Sequence, residues 1–299
     1  MPMQHEAIQL EAGQSFRLLH WKDNLREVDS LIGPEERVRI HGAGDRWHHH
    51  REMELTVVQR GSGTRFVGDH IGPFESLDVV LIGANVPHFW KGMRKSSGYA
   101  VQWRFEREHA LWSFPESGAL RVLWERAAHG LRFTGATADR ALALVQSMAR
   151  REGCGRLAML FELLDKLATA PRRECQKLSQ RPFDLSGAHA HQPAIERVIR
   201  YILQHFREPI ALAEVLRLAG MSKATFARQF RRHAGRPFSA FVNQVRLDHA
   251  CRELVGSGMS VSEAAFASGF NSLSYFNRAF RSAHRCSPKE YRRKARVSL

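Results

Sequence analysis

The 299-residue sequence predicts a multidomain chain that combines a β-rich part with all-helical parts. Three observations lead to this prediction. Residues from about 16 to 107 form short alternating runs broken by turn residues, which are typical of a β-sandwich or barrel. From residue 106 to about 178 the apolar spacing becomes helical. In the last third, a pattern of two short helices separated by a glycine turn occurs twice.

The breaks between these patterns divide the chain into four segments. We predict a β-rich domain over residues 1–110, a helical segment over 111–180, a linker over 181–192 and an all-α domain over 193–299. The linker prediction rests on the stretch LSQRPFDLSGAHAHQP, which is rich in Pro, Gly, Ser and His and has no apolar period. The chain is long enough to bury two separate cores.

The positive charge of the chain is concentrated in its last third. Of the net charge of +15, residues 193–299 supply +12, from 19 Lys and Arg against 7 Asp and Glu. The first 192 residues carry 26 against 23. A basic domain beside a nearly neutral one favours polyanion binding at the C-terminal end. Basic charge alone would equally suit a solvated surface, but its coincidence with the repeated pattern favours nucleic acid.

Several classes of protein are disfavoured by what the sequence contains. The four cysteines form no C-x-x-C pair, so a disulfide framework or a zinc site is not expected. The N-terminus MPMQHEAIQLE lacks the basic and apolar regions of a signal peptide. Every apolar run is shorter than the roughly 20 residues of a membrane span. We therefore expect a soluble, cytoplasmic chain with no membrane contact.

The clearest strands of the β-rich part lie at 37–40, 55–58, 64–67 and 99–103, with a hairpin turn at Gly61-Ser62-Gly63. A histidine-rich stretch precedes the second of them. Its side chains His48, His50, Glu52 and Glu54 share sequence parity, so on a continuous strand they would point to one face. His49 has the opposite parity and is predicted on the surface.

The spacing around these histidines resembles the cupin family. Gly42, His48, His50, Glu54 and Gly61 match its first motif, G-x5-H-x-H-x3-E-x6-G, and Pro87-His88 matches the end of its second motif. The resemblance implies a jelly-roll barrel with an internal pocket.

Three roles remain open for the group His48, His50, Glu54 and His88. Imidazole and carboxylate ligands suit a divalent metal such as Fe, Mn, Ni or Zn. The same side chains could instead bind an effector directly, or they could be structural. The full set of predicted effector-binding residues is Arg46, Trp47, His48, His50, Glu52, Glu54, His88, Trp90 and Trp103. Because aromatic faces beside polar groups suit polar rings, we expect a sugar or its derivative, although each Trp could also be ordinary core.

A leucine stripe marks the helical segment. Leu157, Leu160, Leu164 and Leu167 are spaced 3, 4 and 3 residues apart, which is the a/d spacing of a helix–helix seam. This spacing predicts either contact between two copies or packing against the β-rich domain. We favour the dimer contact.

The repeated pattern of the last third is a helix-turn-helix pattern. Leu218 to Ser222 lies 49 residues before the matching segment at 267–271, and beyond the turn the offset is 50, so that Arg228 matches Arg278. Asn271 or Ser272 is expected to cap the last of these helices. A helix predicted from Phe241 to Leu254 would hold the two units apart for successive major grooves, about 34 Å along DNA. A plain helical bundle is the alternative.

These segments resemble the DNA-binding domain of the AraC-type transcription regulators. GFNSLSYFNRAFR followed by CSPKEYRR is similar to its C-terminal half, and LAGMSKATFARQFRRHAGRPFSAFVNQVRL is similar to its N-terminal half, over about 100 residues together. The chain departs from the usual pattern at Ala211, where a Ser or Thr cap is usual, at Leu216, where a small residue is usual, and at His284-Arg285, where Phe-Gly is usual.

The resemblance implies which side chains contact DNA. The predicted base contacts are Ala224, Ala227, Arg228, Ser274, Asn277 and Arg278. The predicted phosphate contacts are Ser222, Lys223, Arg232, Ser272, Arg281 and Lys289. The two alanines offer only thymine-methyl contact, whereas Arg and Asn can read guanine and adenine, so the second helix is expected to supply most of the specificity.

The sequence therefore predicts a ligand-responsive transcription regulator that is not an enzyme. A cupin sensor domain would bind a small polar effector, with a divalent metal possible, and residues 111–180 would couple it to the DNA-binding domain. The expected partners are double-stranded promoter DNA, the effector, a second copy of the chain, and RNA polymerase if the protein is an activator. The alternatives are a metal-dependent cupin enzyme fused to DNA-binding helices and a constitutive regulator whose cupin only dimerises.

Overall fold

The computed structural model describes residues 8–11, 13–93, 95–182 and 191–297. They form two compact units, an N-terminal unit made mainly of residues within 8–182 and a C-terminal unit made mainly of residues 191–297. Most of the predicted linker, residues 183–190, lies outside the described residues. Within the described part of the chain, no helix has the combined length and apolarity needed to cross a membrane.

The N-terminal unit is rich in β-structure, as predicted. Its strands are β1 Phe16–Asp23, β2 Glu27–Leu31, β3 Arg37–His41, β4 Met53–Arg60, β5 Gly63–Val67, β6 His70–Phe74, β7 Asp78–Ile82, β8 His88–Lys91, β9 Ser96–Trp103, β10 Leu131–Phe133 and β11 Cys175–Lys177. The larger sheet has the order β11-β10-β7-β4-β9-β1-β2-β3, and the smaller has the order β6-β5-β8. The jelly-roll connectivity implied by the cupin resemblance stays a prediction.

Strand β4 lies in the middle of the larger sheet, and its buried side chains alternate between two cores. Leu55 and Val57 belong to the core under the helices, whereas Glu54 and Thr56 point to the opposite face, where an internal cavity lies. The antiparallel register with β9 places Glu54 opposite Gln102. Alternation along a strand therefore separates an apolar core from a polar floor.

The helices of this unit are α1 Gly118–Ala127, α2 Gly135–Met148 and α3 Gly153–Ala168. They cover the sheet face that carries Leu55 and Val101, and Leu160, Leu164 and Leu167 are fully buried in that core. The favoured prediction that the leucine stripe forms a seam between two copies is therefore wrong for these leucines. They pack within their own unit, which was the alternative.

The segment 111–180 is also not wholly helical. Strand β10 follows α1 and pairs with β7, and β11 follows α3 and pairs with β10. The segment thus extends the larger sheet instead of standing apart from it. Glu174, which directly precedes β11, links this strand to the start of α2. Its side chain accepts hydrogen bonds from the backbone N–H and the hydroxyl of Thr137 at 2.9 and 2.8 Å.

The C-terminal unit is helical throughout its described residues. Its helices are α4 Gln192–His205, α5 Leu212–Ala219, α6 Lys223–Ala234, α7 Phe238–Gly256, α8 Val261–Ala267, α9 Leu273–His284 and α10 Pro288–Val297. The apolar faces of α7, α8 and α9 meet in one core that includes Leu254, Phe276 and Phe280. Helix α7 extends the predicted 241–254 helix at both ends and, at 19 residues, is about 28 Å long.

Candidate nucleic-acid interface and ligand cavity

The first helix-turn-helix consists of α5 and α6. Helix α5 ends at Gly220, whose φ of 64° is the left-handed conformation that glycine adopts without strain. Helix α6 then starts at Ser222, whose hydroxyl accepts a hydrogen bond from the N–H of Thr225 at 3.3 Å. Phe226 and Phe230 anchor α6 in the core, so the opposite side of the helix faces outward.

The second helix-turn-helix consists of α8 and α9. Ser260 and Glu263 form a capping box at the start of α8. The turn passes through Gly269, whose φ is 85°, and α9 starts at Ser272, whose hydroxyl accepts from the N–H of Tyr275 at 3.3 Å. Of the two predicted caps for α9, Ser272 is therefore the one that the structure uses.

A hydrogen-bonded chain fixes the second turn against the rest of the C-terminal unit. Arg207 donates to Nε2 of His249 at 2.8 Å, Nδ1 of His249 bonds to the hydroxyl of Ser268 at 2.9 Å, and that hydroxyl donates to the carbonyl of Ala264. The turn also lies directly on the end of α4, because a Cβ at Gly269 would be only 2.5 Å from the Phe206 carbonyl oxygen. The sequence pattern alone did not reveal this anchor.

The predicted base-contacting residues lie on the faces of α6 and α9 opposite their phenylalanines. Five of the six are exposed and one is half-buried: Ala224, Ala227, Arg228, Ser274 and Arg278 are exposed, and Asn277 is half-buried. Contact with DNA is not tested by the structure, so these roles stay predictions. The geometry required for them, an outward polar face on the second helix of each pair, is present.

The predicted phosphate contacts are likewise at the surface. Ser222, Lys223, Arg232, Ser272, Arg281 and Lys289 are all exposed. Ser222 and Ser272 are also the helix caps described above, and the Ser222 hydroxyl donates to the Thr225 hydroxyl at 3.1 Å. Their contact with phosphate stays a prediction. Tyr275 is a further exposed residue on α9 that the sequence did not single out; its hydroxyl bonds to the side chain of Asn243.

The cavity of the N-terminal unit lies on the second face of the larger sheet. Its enclosed volume is about 40 Å³, and the wider space of about 460 Å³ includes open solvent. Its walls are apolar, formed among others by Leu19, Trp21, Leu25, Val28, Trp90 and Ala100, and His48, Glu54, Thr56 and Gln102 are its polar lining residues. Thr56 and Gln102 were not predicted; parity with Glu54 along β4 and across the β9 register is the signal that could have found them.

The predicted group His48, His50, Glu54 and His88 does come together. All four residues are buried, and their potential ligand atoms lie within 4.8 Å of one another. Residues 48–52 are not the continuous strand that was assumed, because β4 begins only at Met53. Instead, His48 pairs with His88 through an isolated bridge, which brings the two motifs together.

Each histidine of this group has one ring nitrogen bound to a backbone carbonyl. Nδ1 of His48 lies 2.8 Å from the Arg46 oxygen, and Nδ1 of His88 lies 2.8 Å from the Val86 oxygen. Nδ1 of His50 lies 3.0 Å from the backbone oxygen of Glu52. Since a carbonyl oxygen only accepts, each Nδ1 carries a proton, and Nε2 is the nitrogen of each ring whose protonation depends on its other neighbours.

Glu54 is the electrostatic centre of the group. Its Oε2 lies 3.1 Å from His50 Nε2 and accepts from the amide of Gln102 at 2.6 Å. Burial alone would raise the pKa of the Glu54 carboxyl, but the hydrogen bond with His50 and the charges of His88, His50 and His48 lower this pKa well below its usual range. Burial, together with the neighbouring His48, lowers the pKa of His88 well below its usual value. These shifts favour a carboxylate at Glu54 and an uncharged imidazole at His88.

This arrangement fits a divalent metal ion. Nε2 of His88 is buried and has no hydrogen-bond partner among the described residues, 3.9 Å from Glu54 Oε2. Backbone carbonyls hold Nδ1 of each histidine ring, so Nε2 is the potential ligand atom of each. Three imidazoles and one carboxylate match the donor set of Zn, Fe or Mn sites. If a metal binds, His48, His50, Glu54 and His88 would hold it, and it would supply a Lewis acid at the cavity floor.

Several predicted cavity residues lie elsewhere. Trp103 is in the core under the helices, with its ring 5.9 Å from Trp124, and Trp47 packs edge-on against Phe66 and Phe89. Neither Trp is in the cavity lining, nor are Arg46 and Glu52. Trp103 lies outside the lining because it follows Gln102 on β9, and successive side chains of a strand point to opposite faces of the sheet. The predicted residues His50 and His88 also lie outside the lining, and contact of all six with an effector stays a prediction.

One other expectation near the cavity is wrong, and one further buried side chain supports the polar group. His49 is 1% exposed, so its predicted surface position is wrong; parity is no guide where the backbone is not a strand. Arg17 is buried and donates from Nε to the side-chain oxygen of Gln102 at 2.8 Å. It therefore supports Gln102 and through it Glu54.

Comparison with known proteins assigns the C-terminal unit. Residues 215–294, which include the second helix-turn-helix pair and all of the first except the start of α5, match a family model described as a helix-turn-helix domain. The chain is 28% identical over 159 residues to the xylose operon regulatory protein of Escherichia coli K12, an alignment that covers 51% of this chain and 39% of that protein. The chain thus spans well under half of that relative's length.

Two solved structures are also similar. A probable AraC family transcriptional regulator from Rhodopseudomonas palustris is 31% identical, with 34% of this chain and 96% of that one covered and a TM-score of 0.32. The DNA-binding domain of AdpA, solved with a target DNA, is 30% identical, with coverages of 35% and 95% and a TM-score of 0.34. From its duplicated motif and its matches in sequence, the C-terminal unit of this chain is an AraC-type helix-turn-helix domain.

Proposed function

We propose that the protein is a ligand-responsive transcription regulator that binds a specific DNA sequence. The observation that carries the proposal is the duplicated helix-turn-helix, in which both second helices direct an exposed polar face outward from one compact unit. The +12 balance of residues 193–299 supports binding to a polyanion.

In this proposal the two helices read DNA unequally. Arg278 and Asn277 on α9 would hydrogen-bond to base edges, and Arg228 would do so on α6. Ala224 and Ala227 would offer only methyl contact. The serine caps and the basic residues around them would fix the register on the phosphates without reading sequence.

The DNA-binding proposal is tested by removing one reading residue. We expect Arg278→Ala to weaken binding to the preferred sequence by about 1–3 kcal/mol, because a bidentate contact to guanine is lost, and to leave binding to random DNA little changed. Fluorescence anisotropy of the full chain on a duplex from upstream of its own gene, beside a shuffled duplex, measures both. Arg37→Ala removes an exposed arginine of the N-terminal unit and is the matched control.

Lack of any preference for the upstream duplex at several salt concentrations would contradict the proposal. An equal loss of affinity in Arg278→Ala and Arg37→Ala would contradict the assigned role of Arg278, since only general charge would then matter.

The cavity of the N-terminal unit is the proposed effector site. It is buried, partly open, and has polar groups at one end, as small-molecule sites do. The expected sugar effector has little support here: a curated relative is named for a xylose operon, but the walls of this cavity are mainly apolar. A molecule that binds the folded unit at a hundredfold above its Kd would stabilise it by about 2.7 kcal/mol. A regulator whose first unit only dimerises predicts no such stabilisation by any compound.

The proposal also covers the coupling segment, the cellular compartment and the protein partners. Residues 111–180 would couple the cavity to the DNA-binding unit, and the regulator would act in the cytoplasm, beside the DNA it binds. A second copy and RNA polymerase are its proposed protein partners. The burial of the leucine stripe means that a dimer would have to use another surface.

A second candidate function is a metal-dependent enzyme fused to a DNA-binding domain. The single observation that favours it is the convergence of His48, His50, Glu54 and His88 beside an open cavity. Elemental analysis of the purified full chain distinguishes the two. About one iron or manganese ion per chain would favour the enzyme, whereas metal-free protein that binds its effector and its DNA site would remove it.

A further inference from the structure

The chemistry of the cavity lining restricts what the effector can be. We infer that the cavity binds a compact, mainly apolar molecule, a single ring or a short branched chain, that carries one oxygen-bearing head group. The inference rests on the proposed function only in calling this ligand the effector; the ligand class itself follows from the lining.

The walls of the cavity offer apolar surface almost without interruption. Leu19, Leu25 and Val28 are each less than 10% exposed, and Trp21 and Ala100 complete the wall between them. The indole N–H of Trp21 is already bound to the hydroxyl of Ser96 at 3.2 Å. An apolar ring placed against this wall leaves water without losing hydrogen bonds.

The polar groups of the lining are largely occupied by one another. Gln102 donates to Glu54 and accepts from Arg17, and Thr56 donates its hydroxyl proton to Glu54 at 2.5 Å. A sugar would bring several hydroxyls that need both donors and acceptors. Most of them would be buried against the apolar wall without partners, which opposes binding.

One unmet polar group provides the anchor for a head group. Trp90 lines the cavity and is 1% exposed, and its indole N–H has no hydrogen-bond partner among the described residues. An indole N–H only donates, so it calls for an acceptor such as a hydroxyl, carbonyl or carboxylate oxygen. One oxygen on an otherwise apolar molecule would satisfy it.

The matched control lies in the other sheet of the unit, on the face of the larger sheet that the helices cover. Trp103 is also fully buried and its indole N–H is also unpartnered within the described residues, but it packs against Trp124 outside the cavity. Trp→Phe at both positions makes the same chemical change. Only the change at Trp90 removes a donor from the cavity lining.

The test is isothermal titration calorimetry of the full chain with five probes. Phenol, cyclohexanol and benzoate represent one ring with one head group, and xylose and arabinose represent sugars. We expect at least one ring compound to bind and neither sugar to bind at the same concentrations. For that compound, Trp90→Phe should weaken binding about tenfold, the share of one hydrogen bond, whereas Trp103→Phe should not change it. Ala100→Leu, which fills the cavity with apolar atoms, should abolish it.

Each other outcome has a defined meaning. Binding of a sugar, or of none of the five probes, would overturn the inference and leave the regulator proposal to its DNA test. Equal weakening by the two Trp→Phe variants would overturn the anchor at Trp90. Binding of a ring compound by a chain that shows no DNA preference would overturn the proposed function and leave the ligand class standing.

Discussion

At the scale of single residues, Arg285 shows how one side chain departs from the local rule. It lies at the end of α9 with φ of 54°, a left-handed conformation that favours glycine. Fifty residues earlier, at the equivalent end of α6, the chain has Gly235 with φ of 75°. Both copies of the repeat thus have a left-handed backbone at this position, but only the second copy has a residue other than glycine there. The exposed guanidinium of Arg285 adds to the positive charge of this unit.

Replacing Arg285 by glycine should therefore stabilise the C-terminal unit. Relief of the left-handed strain outweighs the extra entropy that glycine gives the unfolded chain, for a net gain of about 1 kcal/mol. Thermal unfolding followed by circular dichroism at 222 nm measures it. The converse change, Gly235→Ala, should destabilise the unit by a similar amount. A loss of stability in Arg285→Gly would show that the side chain contributes more to folding than its conformation costs.

His88 predicts a dependence of stability on pH. Burial, together with the neighbouring His48, lowers the pKa of this imidazole below its ordinary value of 6.5 in the folded state. The unfolded chain therefore binds a proton that the folded chain excludes as the pH falls below about 6.5, and the stability present above that pH is progressively lost.

The measurement uses the positions of the tryptophans. All six lie between residues 21 and 124, so tryptophan fluorescence reports on the N-terminal unit alone. The urea concentration at the unfolding midpoint should fall as the pH is lowered from 7.5 to 5.5 in the wild type. It should fall less in His88→Gln, because glutamine cannot take up a proton. Identical slopes for the two proteins would contradict the assigned state of His88.

At the scale of secondary-structure elements, the two turns look alike in sequence but are packed differently. At Gly269 a Cβ would meet the Phe206 carbonyl oxygen at 2.5 Å and the Arg207 Cα at 2.8 Å. At Gly220, which has a similar backbone conformation, a Cβ would meet nothing within 4 Å. Only the second turn therefore needs glycine for space as well as for conformation.

The pair Gly269→Ala and Gly220→Ala isolates that difference. Gly220→Ala should cost about 1 kcal/mol for the left-handed conformation alone. Gly269→Ala should cost about 3 kcal/mol, because α4 must also move away from the turn. Chemical denaturation followed by circular dichroism compares the two variants. Equal costs would mean that the contact between the turn and α4 contributes nothing to stability.

Helix α5 begins without a side-chain cap. Its N-cap residue is Ala211, as the sequence indicated, and no side chain accepts from its first N–H groups. Ala211→Ser should stabilise the C-terminal unit by about 1 kcal/mol, since a hydroxyl would accept one of these hydrogen bonds. The melting temperature measures the gain. Ala213→Ser, two positions into the helix, is the control and should not stabilise.

The elements that periodicity could predict are those long enough to show a period. The helix-turn-helix pairs and the strands at 55–58 and 99–103 appear in the structure at or around their predicted positions. Strands β10 and β11 were missed because three residues carry no period. The leucine stripe covers barely more than one heptad, which cannot tell a partner helix from the chain's own sheet.

The candidate sites were predicted to different extents for the same reason. Motif spacing found His48, His50, Glu54 and His88, although strand parity failed between residues 48 and 52. Parity along β9 would have excluded Trp103 and selected Gln102, but the register with β4 was needed to place Gln102 against Glu54. The apolar character of the cavity emerged only from residues far apart in sequence, on β1, β2, β8 and β9.

At the scale of the whole molecule, the chain combines a partly open cavity in one unit with two exposed helix faces in the other. The N-terminal unit buries a polar group at the floor of an apolar cavity, and the C-terminal unit leaves two arginine-bearing helix faces uncovered. The 19-residue helix α7 lies between the two helix-turn-helix pairs and packs against both α6 and α9. Two exposed helices held by one long helix are the arrangement that sequence-specific DNA binding requires, and such binding is the central claim for this protein.

The most direct test of that claim is selection of preferred sites by the full-length protein from a random duplex library, followed by sequencing. The account predicts one enriched sequence with two short conserved segments about one helical turn, or roughly 10–11 base pairs, apart. The segment read by α9 should be the more strongly conserved, and Arg278→Ala should relax it. A selected pool with no sequence enriched over the input would contradict the account.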